Sequence, residues 1–168
     1  TDIVYVKCNP SLDNSSLGYI GGNAGISTPI PTPTPTPTPI PLPTNDSFYS
    51  ATLLTETTSI FTSNTSATED SSDPTGVSGK KSLWWKLIPI IDGTAVVTTL
   101  GSNFDTILYA YELNGEVSQT NLTQIAYNDD SSGTTSKVEF TVVSGSIYYI
   151  AVVGYNGSTG TIQLNYST

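Results

Sequence analysis

The chain reads as all-β: an antiparallel β-sandwich, jelly-roll-like and of about eight strands, carried on an extended N-terminal arm. Three observations predict this. From Asn45 onward, β-branched and aromatic runs recur every 8–12 residues or so. Between them lie the turn formers Asp92-Gly93, Gly101-Ser102-Asn103, Asn114-Gly115, Asp129 to Gly133, Ser144-Gly145 and Asn156 to Gly160. Ahead of them, proline occupies every second position from Pro29 to Pro43.

Taken in order, Asp2–Lys7 (DIVYVK) is one extended strand, with Ile3 and Tyr5 on one face and Val4 and Val6 on the other. Asn9-Pro10 ends it. Residues 11–28 are rich in Gly, Ser and Asn, with a small apolar patch at Leu17, Tyr19 and Ile20. The Pro-Thr stretch then lacks the donors and the φ freedom for helix or central strand. It is expected to run as polyproline II, about 3.1 Å per residue and roughly 45 Å in all. Phe48–Leu54 has the look of a helical turn capped by Asp46 or Ser47. Strands follow near Ser59–Ser63, Ser82–Ile88, Thr94–Leu100, Thr106–Leu113, Thr123–Tyr127, Lys137–Val142, Ile147–Gly154 and Gly160–Tyr166. Trp84 and Trp85 point to opposite faces of their strand, which places one in the core and the other nearer the surface. The predicted organisation is an N-terminal segment 1–28, a linker 29–44 and a sandwich 45–168.

Composition excludes several functions. Five basic residues against fourteen acidic ones, a net charge of −9, cannot make a phosphate-binding footprint, so nucleic acid is not an expected partner. The chain has no histidine, which removes Ser-His-Asp and Cys-His catalysis and imidazole zinc ligands. The single cysteine, Cys8, permits no intrachain disulfide; it suits a strand position, an interchain bridge or a lipid attachment. No apolar run approaches the ~18 residues of a membrane span. Abundant Ser, Thr, Asn, Gly and Tyr with few charges suggest a secreted, extracellular or cell-surface β protein. Without an initiator Met or a signal peptide, the chain reads as mature.

Five segments appear in order: Asn45-Asp46-Ser47-Phe48; Gly79-Lys80-Lys81-Ser82-Leu83-Trp84-Trp85; Gly101-Ser102-Asn103-Phe104-Asp105-Thr106-Ile107-Leu108; Asn128-Asp129-Asp130; and Tyr148-Tyr149-Ile150-Ala151-Val152. Together they resemble the bacterial pre-peptidase C-terminal domain, a β-sandwich similar to the collagen-binding modules of secreted collagenases. The resemblance covers residues 45–168 and departs from the pattern at Lys86-Leu87-Ile88-Pro89, where alternating aromatics are usual. It implies a non-catalytic extracellular accessory domain.

Candidate sites follow from residue type. Asp105, Asn128, Asp129 and Asp130 lie on loops and offer the oxygen ligands that suit calcium. Asp46, Glu69, Asp70 and Asp73 form a second possible cluster. Asn14, Asn45, Asn64, Asn121, Asn156 and Asn165 occupy N-glycosylation sequons, and Thr32, Thr34, Thr36 and Thr38 are candidates for O-glycans on the linker. Beyond calcium and covalent glycans no cofactor is expected. Ile3, Val4, Tyr5 and Val6 form a strand that is apolar on both faces and invites aggregation unless it is paired. The functional expectation is a filament subunit whose partners are copies of itself, joined head to tail by this strand. The alternative is an adhesive module for extracellular matrix, collagen or carbohydrate, reading through Tyr109, Tyr111, Tyr127, Tyr155 and one of Trp84 and Trp85.

Overall fold

A computed structural model describes residues 40–55, 58–69, 71, 73–76 and 80–168. The strand Ile3–Val6, Cys8, Asn14, Asp70 and the linker threonines lie outside the described residues. The compact unit described here runs from Thr38 to Thr168.

Two sheets form a sandwich from nine strands among the described residues. They are β1 (Thr52–Leu54), β2 (Thr58–Ser63), β3 (Leu83–Leu87), β4 (Gly93–Thr98), β5 (Thr106–Leu113), β6 (Leu122–Asn128), β7 (Lys137–Val142), β8 (Tyr148–Gly154) and β9 (Thr161–Ser167). One sheet has the order β1-β3-β8-β5-β6 and the other β2-β9-β4-β7. Pairing is antiparallel except between β1 and β3. β7 shows the expected logic most plainly: Val138, Phe140 and Val142 point inward, while Lys137, Glu139 and Thr141 face solvent.

β8 departs from that half-buried pattern, because every one of its residues is buried. Tyr148, Ile150 and Val152 enter the main core between the sheets, with Trp85 and Leu87 of β3, Leu108 of β5, and Val97, Phe140 and Leu164 from the opposite sheet. Tyr149, Ala151 and Val153 enter a second apolar cluster on the outer face, with Phe48, Trp84, Ile107 and Tyr109. Both tryptophans are therefore core residues, each 1% exposed, which corrects the expectation that one lies nearer the surface. The cause is a roof that strand alternation cannot reveal. The 3-10 turn Phe48–Ser50 lays Phe48 edge-on to Trp84, ring centroids 5.7 Å apart, and 4.4 Å from Tyr149.

The segment Phe48–Leu54 also differs from its predicted helical turn. Only Phe48–Ser50 turns, and Thr52–Leu54 becomes β1, paired Thr52↔Trp85 and Leu54↔Leu87 along the edge of β3. Just upstream, Asn45 clamps the same edge: its carbonyl accepts from Trp84 N–H at 2.9 Å, and its Nδ2 donates to Trp84 O at 3.0 Å. The unpaired edge of β3 thus recruits this segment into the sheet, and a ladder of bonds overrides local helical preference.

Because both indoles are buried on opposite faces of one strand, Trp84→Ala and Trp85→Ala should each cost about 3–5 kcal/mol. Urea denaturation would show this as two comparable shifts in midpoint at unchanged slope. A Trp84 shift near zero would mean that the outer cluster is not a second core.

Candidate functional site

Asp105 immediately precedes β5, and Asp129 and Asp130 immediately follow β6. These strands are antiparallel neighbours in register Leu108↔Asn128, so the start of one meets the end of the other. Carboxylate oxygens of Asp105, Asp129 and Asp130 come within 4.8 Å of one another. Beneath them a buried hydroxyl network holds the loops. Thr99 and Thr106 share a hydrogen bond of 2.6 Å, and Ser136 N–H donates to Thr99 Oγ1 at 2.8 Å. The Ser136 hydroxyl is shared between Thr106 O and Asp129 O.

The acids themselves are less well provided for. Asp105 Oδ1 and Asp129 Oδ1 are buried atoms with no hydrogen-bond partner among the described residues. Desolvation first, and then the neighbouring Asp130 charge, raises the Asp105 pKa above its usual value. Asp129 is raised by desolvation, Asp130 and Asp105, in that order. Carboxylate oxygens crowded in this way suit a hard divalent cation, which would relieve both repulsion and unpaired lone pairs. Asn128, the fourth predicted ligand, lies beside the carboxylates, its Nδ2 donating to Asp130 O at 3.4 Å. Its Oδ1 accepts from Lys137 N–H at 2.9 Å, so its amide braces the entry to β7. Of the second acidic group, Asp70 lies outside the described residues. Asp46 accepts from Thr68 N–H and hydroxyl at 2.9 and 2.6 Å, and Asp73 accepts from the Ser82 hydroxyl. Each of these carboxylates ties its own loop down.

The expected aromatic surface is mostly interior. Tyr109 and Tyr111 stack at 6.1 Å and 8°, and Tyr109 tilts against Tyr127 at 5.0 Å. Tyr109 is buried and Tyr111 half-buried under the roof, whereas Tyr127 and Tyr155 are exposed. Burial, with Tyr127 and Asp129 nearby, pushes the Tyr109 hydroxyl up to about 12.

The sequons also sort by burial. Asn45 and Asn64 are buried, and their amides donate to backbone carbonyls of Trp84 and Lys81, so neither can carry a glycan in the folded domain. Asn121 and Asn165 are half-buried, with amides bonded to Glu116 O and Leu100 O. Asn156 is exposed, on a turn with φ of 48°.

A feature that sequence reading did not place lies at the far end of β1 and β3. Leu54 and Leu87 form the floor of a groove of about 500 Å³, and Leu53, Ile88, Ile90 and Ile91 rise around it. Ile90 is 88% and Ile91 68% exposed. The signal was present in the run Ile88-Pro89-Ile90-Ile91, which is too apolar for an ordinary connecting loop.

No protein-family profile and no curated protein sequence matches the chain. Among solved structures, it is similar to the pre-peptidase C-terminal domain of collagenase from Bacillus anthracis. The identity is 13% and the TM-score 0.47, over 70% of this chain and 94% of that one. A periplasmic inhibitor of g-type lysozyme from Aeromonas hydrophila is similar at 10% identity and TM-score 0.43, over 69% of this chain and 91% of that one.

Protonation of the acidic corner gives a test with a definite sign. A raised folded-state pKa means that the folded protein holds more protons than the unfolded chain between about 3.8 and the raised value. Stability therefore falls as pH rises through that window, and the penalty is fully present above it. Asp129→Asn should melt higher than the parent near neutral pH, with the difference vanishing below about pH 3.8. Melting curves of both proteins in calcium-free buffer across this range would show it. A constant offset at all pH values would assign the effect to something other than charge.

Proposed function

We propose that this chain is a non-catalytic structural subunit of an extracellular filament. Its N-terminal segment, through Ile3, Val4, Tyr5 and Val6, adds to a neighbouring copy, and copies join head to tail. The observation that carries the reading is in the sequence: Ile3–Val6 is apolar on both faces, and the alternating prolines Pro29–Pro43 stand between it and the sandwich. A two-faced apolar strand gains from entering a sheet, where it finds ladder hydrogen bonds and loses its exposed surface. Fifteen residues of alternating proline would act as a stiff spacer that presents such a strand at low entropic cost. A contact between different surfaces of identical subunits propagates as a fibre when its rotation does not close a ring.

Two accessory features fit an extracellular assembly. Glycans on Thr32, Thr34, Thr36 and Thr38 would stiffen and protect the linker, and among the described sequons Asn156 is the accessible one. Calcium at Asp105, Asp129 and Asp130 would pin two loops at one end of the sandwich, a reading favoured by the two unpartnered buried oxygens. The competing function, an adhesive module for matrix or carbohydrate, has Tyr127 and Tyr155 as its exposed contacts.

Electron microscopy of the full chain beside a variant lacking residues 1–28 tests the main reading. Fibres from the first and single particles from the second are expected; single particles from both would refute assembly and leave the adhesive module. For calcium, the expected result at millimolar concentration is a binding heat and a higher melting temperature, both lost in Asp105→Asn. No heat and no shift would remove calcium from the site.

A further inference from the structure

The groove beside β1 has the properties of an acceptor, and we infer that it receives the Ile3–Val6 segment of a neighbouring copy. This inference rests on the proposed head-to-tail assembly and assigns the surface that completes it. Four properties match the occupant to the site.

The first is the edge. Among the described residues β1 ends its sheet, so one side of its backbone faces away from β3, as an added strand requires. Four extended residues cover about 13 Å, which is the reach of Ile3–Val6 and also of Thr52–Thr55.

The second is apolar symmetry. A strand with Ile3 and Tyr5 on one face and Val4 and Val6 on the other needs apolar walls on two sides. Buried Leu54 and Leu87 and exposed Ile90 and Ile91 line the groove, together with Tyr166 of β9 and Thr168. A strand laid between them would be covered on both faces.

The third is that this wall is held in place. Pro89 O accepts from Gly145 N–H at 2.9 Å, Ile90 O from the Ser144 hydroxyl at 2.8 Å, and Asp92 Oδ1 from Ser144 N–H at 2.8 Å. The turn between β7 and β8 thus fixes the loop that presents both isoleucines. Their exposure is built into the fold, and little ordering remains to be done on binding.

The fourth is direction. The linker joins the sheet at the beginning of β3, where Asn45 bonds Trp84, while the groove opens at its end, beyond Leu87. A run of alternating prolines, about 45 Å when fully extended, resists the tight reversal that insertion into its own groove would demand.

Two full-length variants separate the partners of this contact. Ile90→Asp/Ile91→Asp disables the groove, and because both side chains are exposed it should leave the melting temperature within a few degrees of the parent. Val4→Asp/Val6→Asp disables the strand. Each variant alone should be monomeric by light scattering and microscopy, and an equimolar mixture should form dimers, since one intact strand then meets one intact groove. Fibres from the groove variant would overturn the acceptor assignment while leaving assembly through the N-terminal strand intact. Failure of the mixture to pair, with both variants monomeric, would also overturn it, pointing to apposed grooves or to insertion within one chain. A parent that forms no fibres would refute head-to-tail assembly itself, and this inference with it.

Discussion

Burial of β8 on both faces is the constraint from which the rest of the domain follows. In an ordinary sandwich the outer face of each sheet meets water, and a strand needs apolar residues at alternate positions only. Here Tyr149, Ala151 and Val153 face outward and are as buried as the residues that face the core. A roof is therefore obligatory, and it is supplied by Phe48 on its short turn and by the tyrosines of β5. Large aromatic side chains bury about 150–250 Å² each, roughly 4–6 kcal/mol at 25 cal/mol per Å² before ordering costs. Trp84 Nε1 has no partner among the described residues, a loss of about 1–3 kcal/mol. The apolar gain exceeds it, so Trp84 is held under the roof despite its unpaired N–H.

How much of this could be read in the sequence depends on whether the deciding contact is local. Strands β5 and β7 match their expected limits because turn residues bound them and their own patterns specify them. β1 was misread as helical because three residues carry no periodicity, and its ladder exists only through β3. Trp84 was left open because its cover comes from Phe48, far away along the chain. Asp105 could be joined to Asp129 and Asp130 because they sit at adjacent ends of neighbouring strands. Nothing local shows that the Asn128 amide oxygen also accepts from Lys137 N–H. The sequons at Asn45 and Asn64 mislead in the same way: their three-residue pattern is blind to burial.

The acidic corner shows a division of labour between two polar layers. Thr99, Thr106 and Ser136 are fully buried and hydrogen-bonded to one another or to backbone, so they rigidify the loops. The carboxylates above them are crowded, and two of their oxygens lack partners. Only a well-satisfied lower layer can hold like charges together against their repulsion. With loose loops, the three acids would separate into water, and Asp105 and Asp129 would regain their usual pKa values.

The edges of the sheets argue for a specific rather than an adventitious role for the groove. β7 turns Lys137 and Glu139 outward, and β6 pairs with β5 through a register irregularity at Ala110 and Tyr111. Outward charge and irregular pairing both discourage a stray strand from joining. β1 is protected differently, by being only three residues long. Such brevity discourages long, unspecific pairing, because an added strand gains few backbone bonds there. What remains for recognition is side-chain burial, which the isoleucines offer just where β1 stops. A short, two-faced apolar segment satisfies that combination, and a long polar one does not. The same geometry that guards the edge against general aggregation would suit the donor proposed above, the two-faced Ile3–Val6.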